Sequence, residues 1–388
     1  MHRQIHRIRS LFTTLTCLVL ISCMQAEKFS LDTSGMEGLL IGGLSFESGQ
    51  PGGGEEEEEE EGGYSGAQFV AVGDNFQTWY SYDGISWEKS PNGMMDAQNL
   101  QSVAFGSNVW VTVGQTSAGT CGVWTSPDGS NWTQRSCPAG DSVRKNAIAY
   151  GNGFFLAAGE CNGTNITAMK STDGGINWTA IVPFAAGCSN EIKSLIFETQ
   201  SQQFIAVTNA GIAYRTPDGT NPWTFVAILD GYANSVKIQK GLPGKILISG
   251  VNLNDHPAVW QYSLDGSLEA SAEISDVTAD IFEGFAYGNG RFVATGTDTS
   301  RYNCYFNTAT TVAAILPANK NSLFPLCGTA GFFPQRIDYH SGVGVFVVGG
   351  YSIDGDLNQF AWSSDGLSWT TGATTPGATS MNAMAVVE

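Results

Sequence analysis

A recurring phrase constrains the fold of this chain more than any other feature: Ser, any residue, Asp, Gly, then Trp a few positions on. It reads Ser81-Tyr82-Asp83-Gly84-Ile85-Ser86-Trp87, then Ser126-Pro127-Asp128-Gly129-Ser130-Asn131-Trp132, then Ser171-Thr172-Asp173-Gly174-Gly175-Ile176-Asn177-Trp178. It continues more loosely at Thr216-Pro217-Asp218-Gly219 with Trp223 and at Ser263-Leu264-Asp265-Gly266. It returns at Ser363-Ser364-Asp365-Gly366-Leu367-Ser368-Trp369. Asp83, Asp128, Asp173 and Asp218 stand 45 residues apart, Asp265 follows after 47, and the gap to Asp365 has room for one degenerate copy. A period of this size marks an array of supersecondary units, none of which buries its apolar face alone.

Each unit divides into four short strands. The third shows them best: Asn146 to Tyr150, a Gly151-Asn152-Gly153 turn, Phe154 to Ala158, a loop, Ile166 to Ser171, the Asp-Gly turn, and Trp178 to Val182. Alternating apolar residues and these turns argue for antiparallel strands, and four-stranded units at this period predict propeller blades. Val103, Ile148, Leu195, Val236, Phe285 and Ile337 mark six first strands. The phrase at Ser81 has a second strand before it (Gln68 to Val72) but no first, while Asn382 to Val386 ends the chain with no blade after it. The expectation is an all-β, seven-bladed β-propeller of four-stranded antiparallel blades over residues 66–388. The C-terminal strand joins the N-terminal blade, which removes two free sheet edges.

The Ser-x-Asp-(x)-Gly-x-x-Trp phrase resembles the Asp box, or BNR repeat, of the sialidase-like propellers, with Ser171 to Trp178 the best match. That resemblance implies a turn between the third and fourth strands, on the face opposite the ligand site. Ser81, Asp83, Trp87, Ser126, Asp128, Trp132, Ser171, Asp173, Gly175, Trp178, Asp218, Asp265, Ser363, Asp365 and Trp369 are accordingly structural. Ser and Asp satisfy backbone donors, Gly allows positive φ and Trp packs below. The resemblance also implies what a sialidase needs: three arginines gripping a carboxylate, a Tyr/Glu pair and an Asp. Arg144, Arg301 and Arg336 fall on the ligand face but on the third, sixth and seventh blades. The family's Phe/Tyr-Arg-Ile-Pro phrase is absent, the nearest being Gln335-Arg336-Ile337-Asp338. Such enzymes close with six blades against seven here, so no catalytic residue is assigned and the chain is read as a non-enzyme.

Ahead of the repeats comes an address. Residues 1–22 hold Arg3, Arg7 and Arg9 and then an uncharged apolar stretch, the order of a secretory signal. It ends Leu20-Ile21-Ser22-Cys23, which resembles the bacterial lipobox and implies that Cys23 is lipidated. Residues 23–65 carry Gly-rich stretches and seven consecutive glutamates, Glu55 to Glu61, which repel one another and suit a disordered tether. The formal charge is −18, and −21 once the three arginines leave, which argues against nucleic acid as a partner.

Six cysteines remain in three local pairs, Cys121 with Cys137, Cys161 with Cys188 and Cys304 with Cys327, each inside one repeat. Even local pairing in an exported chain reads as disulfides. All three would staple the second-to-third and fourth-to-first loops of one face. Just ahead of the apolar position on each first strand stands a polar residue: Gln101, Asn146, Lys193, Asn234, Glu283, Gln335 and Asn382, with Lys145, Arg144 and Arg336 beside them. This ring would approach the mouth of the central channel and is the candidate ligand site, unless it only satisfies loop backbone. No cofactor or metal is expected. Asp354-Gly355-Asp356-Leu357-Asn358 lacks the glycine and later glutamate of a calcium loop, and His256 and His340 are the only histidines after the signal. The function expected is a monomeric, membrane-anchored lipoprotein of the outer membrane or cell surface that binds an extracellular protein or glycan. The alternatives are a periplasm-facing assembly or scaffold factor and a sialidase-like glycoside hydrolase.

Overall fold

A computed structural model describes residues 64–91, 97–183, 190–220, 222–228, 237–239, 242–252, 256–273, 281–297, 304–315, 332–352, 357–376 and 379–387. Seven antiparallel sheets result, six of four strands and one of three among the described residues. The innermost strands are Met381–Val386 of blade 1, Ala97–Gly106 of blade 2, Lys145–Gly151 of blade 3 and Ile192–Glu198 of blade 4, then Lys237–Gln239, Ile281–Gly288 and Phe332–His340 of blades 5 to 7. Each contacts the innermost strand of the next blade, all the way round. The seven-bladed expectation is met, and so is the mode of closure: Met381–Val386 pairs with Phe69–Gly73, so the last strand of the chain completes the first blade.

The local physics is that of tight hairpins. In blade 3 the turn between the first two strands puts Asn152 at φ 49° and Gly153 at φ 79°, the left-handed pair that matches strand twist. Burial then follows the period-two alternation, because successive side chains point to opposite faces of a blade. The result is a separate apolar core at each of the seven junctions. Val111, Val113 and Val123 of blade 2 pack on Ile148, Ala157 and Met169 of blade 3. Phe69 and Trp79 of blade 1 pack on Val347 and Phe360 of blade 7, which seals the ring at its last junction. Trp79 and Trp110 are fully buried. A side chain of that size removes roughly 150–250 Å² from water, an upper-bound stabilisation of about 4–6 kcal/mol at 25 cal/mol/Å².

The repeated Ser-x-Asp-Gly turn closes six of the seven junctions, blade 6 having no copy. At Ser171 the hydroxyl accepts from Gly175 N at 2.9 Å, Asp173 Oδ1 accepts from Asn177 N at 2.9 Å, and the Trp178 indole donates to Gly175 O at 2.8 Å. Gly175 sits at φ 82°, and a Cβ there would fall 2.9 Å from Val111 of the preceding blade. The same arrangement recurs at Ser81, Asp83 and Trp87, with Gly84 N on Ser81 Oγ at 2.8 Å and the Trp87 indole on Gly84 O at 3.1 Å. At Asp218 the carboxylate accepts from Thr220 N at 2.9 Å, at Asp265 from Ser267 N at 2.9 Å, and at Asp365 from Leu367 N at 2.7 Å. Ser363 Oγ accepts from Gly366 N at 2.8 Å, and Trp369 packs partly buried against Phe306 and Phe346. Trp132 departs from the pattern: its ring packs in the blade 1 to blade 2 core, but its indole N–H finds no partner among the described residues.

Candidate functional site

The predicted polar ring has a backbone cause. The inner ladders slip by one residue between Leu100 and Ser102, Lys145 and Ala147, Ile192 and Ser194, Phe282 and Gly284, and Pro334 and Arg336. In blade 1, Val72 faces Ala383 while Gly73 faces Met381. The unpaired residues of these β-bulges are Gln101, Asn146, Lys193, Glu283, Gln335 and Asn382, six of the seven ring positions. A bulge releases its extra residue from the ladder and re-aims the side chain. The seventh, Asn234, lies outside the described residues. The second strand makes room for the kink: at Gly73, Gly114, Gly159 and Gly350 a Cβ would lie 1.8–2.2 Å from a carbonyl oxygen of the bulged strand.

Three of these side chains reach the next blade. Asn146 Nδ2 donates to Ile192 O at 3.0 Å, Asn382 Nδ2 donates to Leu100 O at 2.9 Å and Asp74 Oδ1 at 2.7 Å, and Gln335 Oε1 accepts from Met381 N at 2.6 Å. Arg336 Nε donates to Asn382 O at 2.5 Å, and its guanidinium lies 3.8 Å from Glu283. A second arc runs through Arg144, which donates to Asn146 Oδ1 at 3.0 Å and pairs with Glu160 at 2.5 Å. Lys193 pairs with Glu191 at 2.6 Å. The ring is therefore first a belt of inter-blade staples. The exceptions are Lys193, which pairs within its own blade, and Gln101, whose amide makes no hydrogen bond among the described residues.

Gln101, Asn146, Lys193, Arg336 and Asn382 also line a cavity of about 310 Å³, the upper part of the central channel. Below them its wall is made by small and branched apolar residues such as Val103, Ile148 and Ala385. Burial pulls the Arg336 guanidinium below its usual range and Glu283 pushes it back. Among the described residues Arg144, Lys193 and Arg336 each face a carboxylate, so this part of the mouth is a set of ion pairs and not a cationic patch.

The expectation for Lys145 needs correction. Its side chain is fully buried, and Nζ donates to Asp141 Oδ1 at 2.7 Å, Val143 O at 2.9 Å and Thr167 Oγ1 at 2.9 Å, which uses all three protons. It clamps the loop leading into blade 3 and offers nothing to a ligand; the reason is the bulge, which turns Asn146 to the channel and Lys145 away from it. Burial lowers its pKa and Asp141 opposes that shift. Asn358, the last residue of the calcium-like phrase, is buried in the strand Leu357–Ser363 and donates to Thr379 O at 2.8 Å.

Cys121 and Cys137 form a disulfide, with Cα atoms 6.3 Å apart, joining the start of the third strand of blade 2 to the connection after its fourth. Cys304 is also disulfide-bonded. Its expected partner Cys327, like Cys188, the expected partner of Cys161, lies outside the described residues, and so do Cys23 and Arg301.

The aspartates of the turns are held below the usual carboxylate range. For Asp128, burial alone would raise the pKa, but hydrogen bonds from Asn131 and from Ser130 N and Ser126 outweigh it and bring the pKa to about 2. Asp265, fully exposed, is brought to about 2 by Ser263 and Ser267. Asp83, Asp173, Asp218 and Asp365 shift in the same direction. Carboxylates locked ionised by their own turn cannot serve as general acids near neutral pH.

Two parts of the channel were not anticipated. Ser102 Oγ accepts from Ile148 N at 3.3 Å and Ser194 Oγ accepts from Ile238 N at 3.1 Å, joining consecutive inner strands one residue past the bulge. A Gly near the end of the second strand in most units is the available signal for the bulges. The other is a cavity of about 360 Å³ at the opposite end of the channel, between blades 4 and 7, which shares Ile196, Asp338 and Val386 with the upper one.

Comparison with known proteins supports the architecture. Residues 93–246 match the model of the DUF6242 beta propeller domain family. No curated protein matches the chain. Among solved structures, a protein from Lactobacillus plantarum is 11% identical over 83% of this chain and 99% of its own, with a TM-score of 0.58. A candidate 6-phosphogluconolactonase from Bacteroides fragilis is 9% identical over 82% of this chain and 97% of its own, with a TM-score of 0.58. At such identities the likeness is one of fold, and a fold of this kind hosts unrelated functions.

Proposed function

We propose that this chain is an exported lipoprotein, acylated at Cys23 and lifted from the membrane by the acidic tether, whose propeller is a binding module for an extracellular protein or glycan. The supporting observation is the rigidity of the bulge face. The Cys121–Cys137 disulfide fixes loops of blade 2, and Asn146, Gln335, Asn382 and Arg336 tie the bulges of blades 1, 3 and 7 to the next blade. Loops held on a pre-organised frame lose little entropy on binding. In this reading the Ser-x-Asp-Gly turns are Asp boxes that lock the junctions without chemistry of their own.

The module is proposed to bind without catalysing. A sialidase-type clamp needs guanidinium donors aimed at a substrate carboxylate, whereas Arg336 spends donors on Asn382 O and Gln335 O, and Arg144 on Glu160 and Asn146. A fluorogenic sialoside should therefore go unhydrolysed, and turnover abolished by Arg336→Ala would overturn the non-enzyme reading.

Protease shaving of intact cells, followed by blotting for the propeller, tests the location. Loss of the signal is expected for a surface-exposed head. Protection until the outer membrane is opened would reject surface exposure and favour the periplasm-facing assembly role.

A further inference from the structure

The upper part of the channel changes character with depth. Beneath the bulge residues its wall is branched aliphatic: Val103, Ile148, Ile196, Ile238 and Ile337, one from each of five blades. Among the described lining residues the one ring is Phe105, which is already packed against Tyr64 and Trp110, with ring centroids 4.6 and 4.9 Å away. The side chains of Lys193 and Arg336 stay 26% and 19% exposed, so the cavity opens to solvent past them. Its volume of about 310 Å³ is at the lower end of small-ligand sites, roughly 300–1,000 Å³.

At the mouth, ion pairing leaves donors over. Lys193 Nζ gives one proton to Glu191 at 2.6 Å and keeps two. Arg336 donates from Nε to Asn382 O and from Nη1 to Gln335 O and faces Glu283 at 3.8 Å, while Nη2 makes no hydrogen bond among the described residues. The Gln101 carboxamide adds two donors and an acceptor that are likewise unbonded there. Asp338, the remaining charged residue of the described wall, accepts from Tyr339 N at 2.8 Å and lies at the inner end, where the two cavities meet. We propose that the upper channel receives the tip of a peptide loop, one bulky apolar side chain entering the aliphatic well. The backbone carbonyls beside that side chain then accept from Lys193, Arg336 and Gln101. A residue carries its own amides next to its side chain, so one ligand satisfies both wall and mouth. A pyranose would turn hydroxyls toward branched carbon, which costs their desolvation without a partner. An acyl chain would leave the mouth donors unmatched. This assignment rests on the bulge face being the binding face and narrows its partner from protein or glycan to protein.

Saturation-transfer NMR on the purified protein with N-acetylleucinamide, N-acetylphenylalaninamide, N-acetylglycinamide and methyl glucoside tests the assignment. Transfer to the side-chain protons of the leucine or phenylalanine amide is expected, and none to the glycine amide. Gln101→Trp, at a position that makes no hydrogen bond within the described fold, fills the mouth and should abolish transfer. Lys193→Met should weaken binding about tenfold, as loss of a charged hydrogen bond does. Ser341→Trp, exposed at the opposite end of the channel, should leave it unchanged. Circular dichroism and Tm of each variant establish that the fold is intact. No transfer from either apolar amide, or transfer that survives Gln101→Trp, would overturn the proposal. Transfer from methyl glucoside in their place, lost in Gln101→Trp, would overturn the peptide assignment while leaving the bulge face as the binding face. The exported-lipoprotein reading fails separately, through protection of the propeller in protease shaving.

Discussion

Asp128 shows how one carboxylate serves a turn. It accepts from Ser130 N and Asn131 N at 2.8 Å each, so its removal strands two backbone donors at a tight corner. Asp128→Ala should cost about 1–2 kcal/mol, as loss of a capping side chain does, read as a lower urea midpoint. The folded pKa of about 2 lies below the ordinary 3.8. The contribution is thus complete above about pH 4 and is lost as pH falls toward 2. Across that interval the wild type should lose stability more steeply than Asp128→Ala, and parallel slopes would refute the role. Asn307 makes the opposite case. It is fully buried with neither amide atom partnered among the described residues, at the register where blades 2, 3 and 5 carry Trp124, Met169 and Trp260. An unsatisfied buried amide costs about 1–3 kcal/mol. Asn307→Met should therefore raise Tm, and a fall would mean that the amide serves a bound water or ligand.

At the scale of the strand, the bulge and its facing glycine form one device. A Cβ at Gly159 would sit 2.2 Å from Arg144 O, so Gly159→Ala must either flatten the bulge or push the inner strand aside. Gly153, at φ 79°, has nothing within 4 Å of the same position, so Gly153→Ala carries only the conformational cost of about 1–2 kcal/mol. Gly159→Ala should lose clearly more, about 3 kcal/mol or beyond, and the two urea midpoints decide it; equal losses would mean the bulge tolerates a Cβ. This device also shows where reading the chain reached its limit. Blade number, strand order and closure were legible, because the Asp-Gly period and the orphan strand at Asn382 are local signals. The polar residues at 101, 146, 193, 283, 335 and 382 were visible as a ring, but their partners were not, because a bulge is a property of register between two strands. The same one-residue slip hid the burial of Lys145, which in sequence is only the neighbour of Asn146.

The whole molecule is held closed by its final strand. Met381–Val386 pairs with Phe69–Gly73, supplies Met381 and Val386 to the core between blades 7 and 1, and places Asn382 within reach of Asp74 and Leu100. It also receives Gln335 and Arg336 from blade 7. Removing residues 380–388 therefore opens two junctions at once and exposes the Phe69–Gly73 edge of blade 1, while leaving blades 3 to 5 with all their own contacts. A ring whose junctions are nearest-neighbour interfaces should then lose stability from the gap outward. The truncated protein is expected to unfold over a broader range of urea than the full chain and to bind a hydrophobic dye before the transition. It should also associate through this free edge at high concentration. Adding a synthetic peptide of residues 379–388 should restore the sharp transition, since the groove it leaves is complementary to that strand alone. A truncated protein that unfolds as sharply as the intact chain would show that the junction cores, and not closure, set its cooperativity.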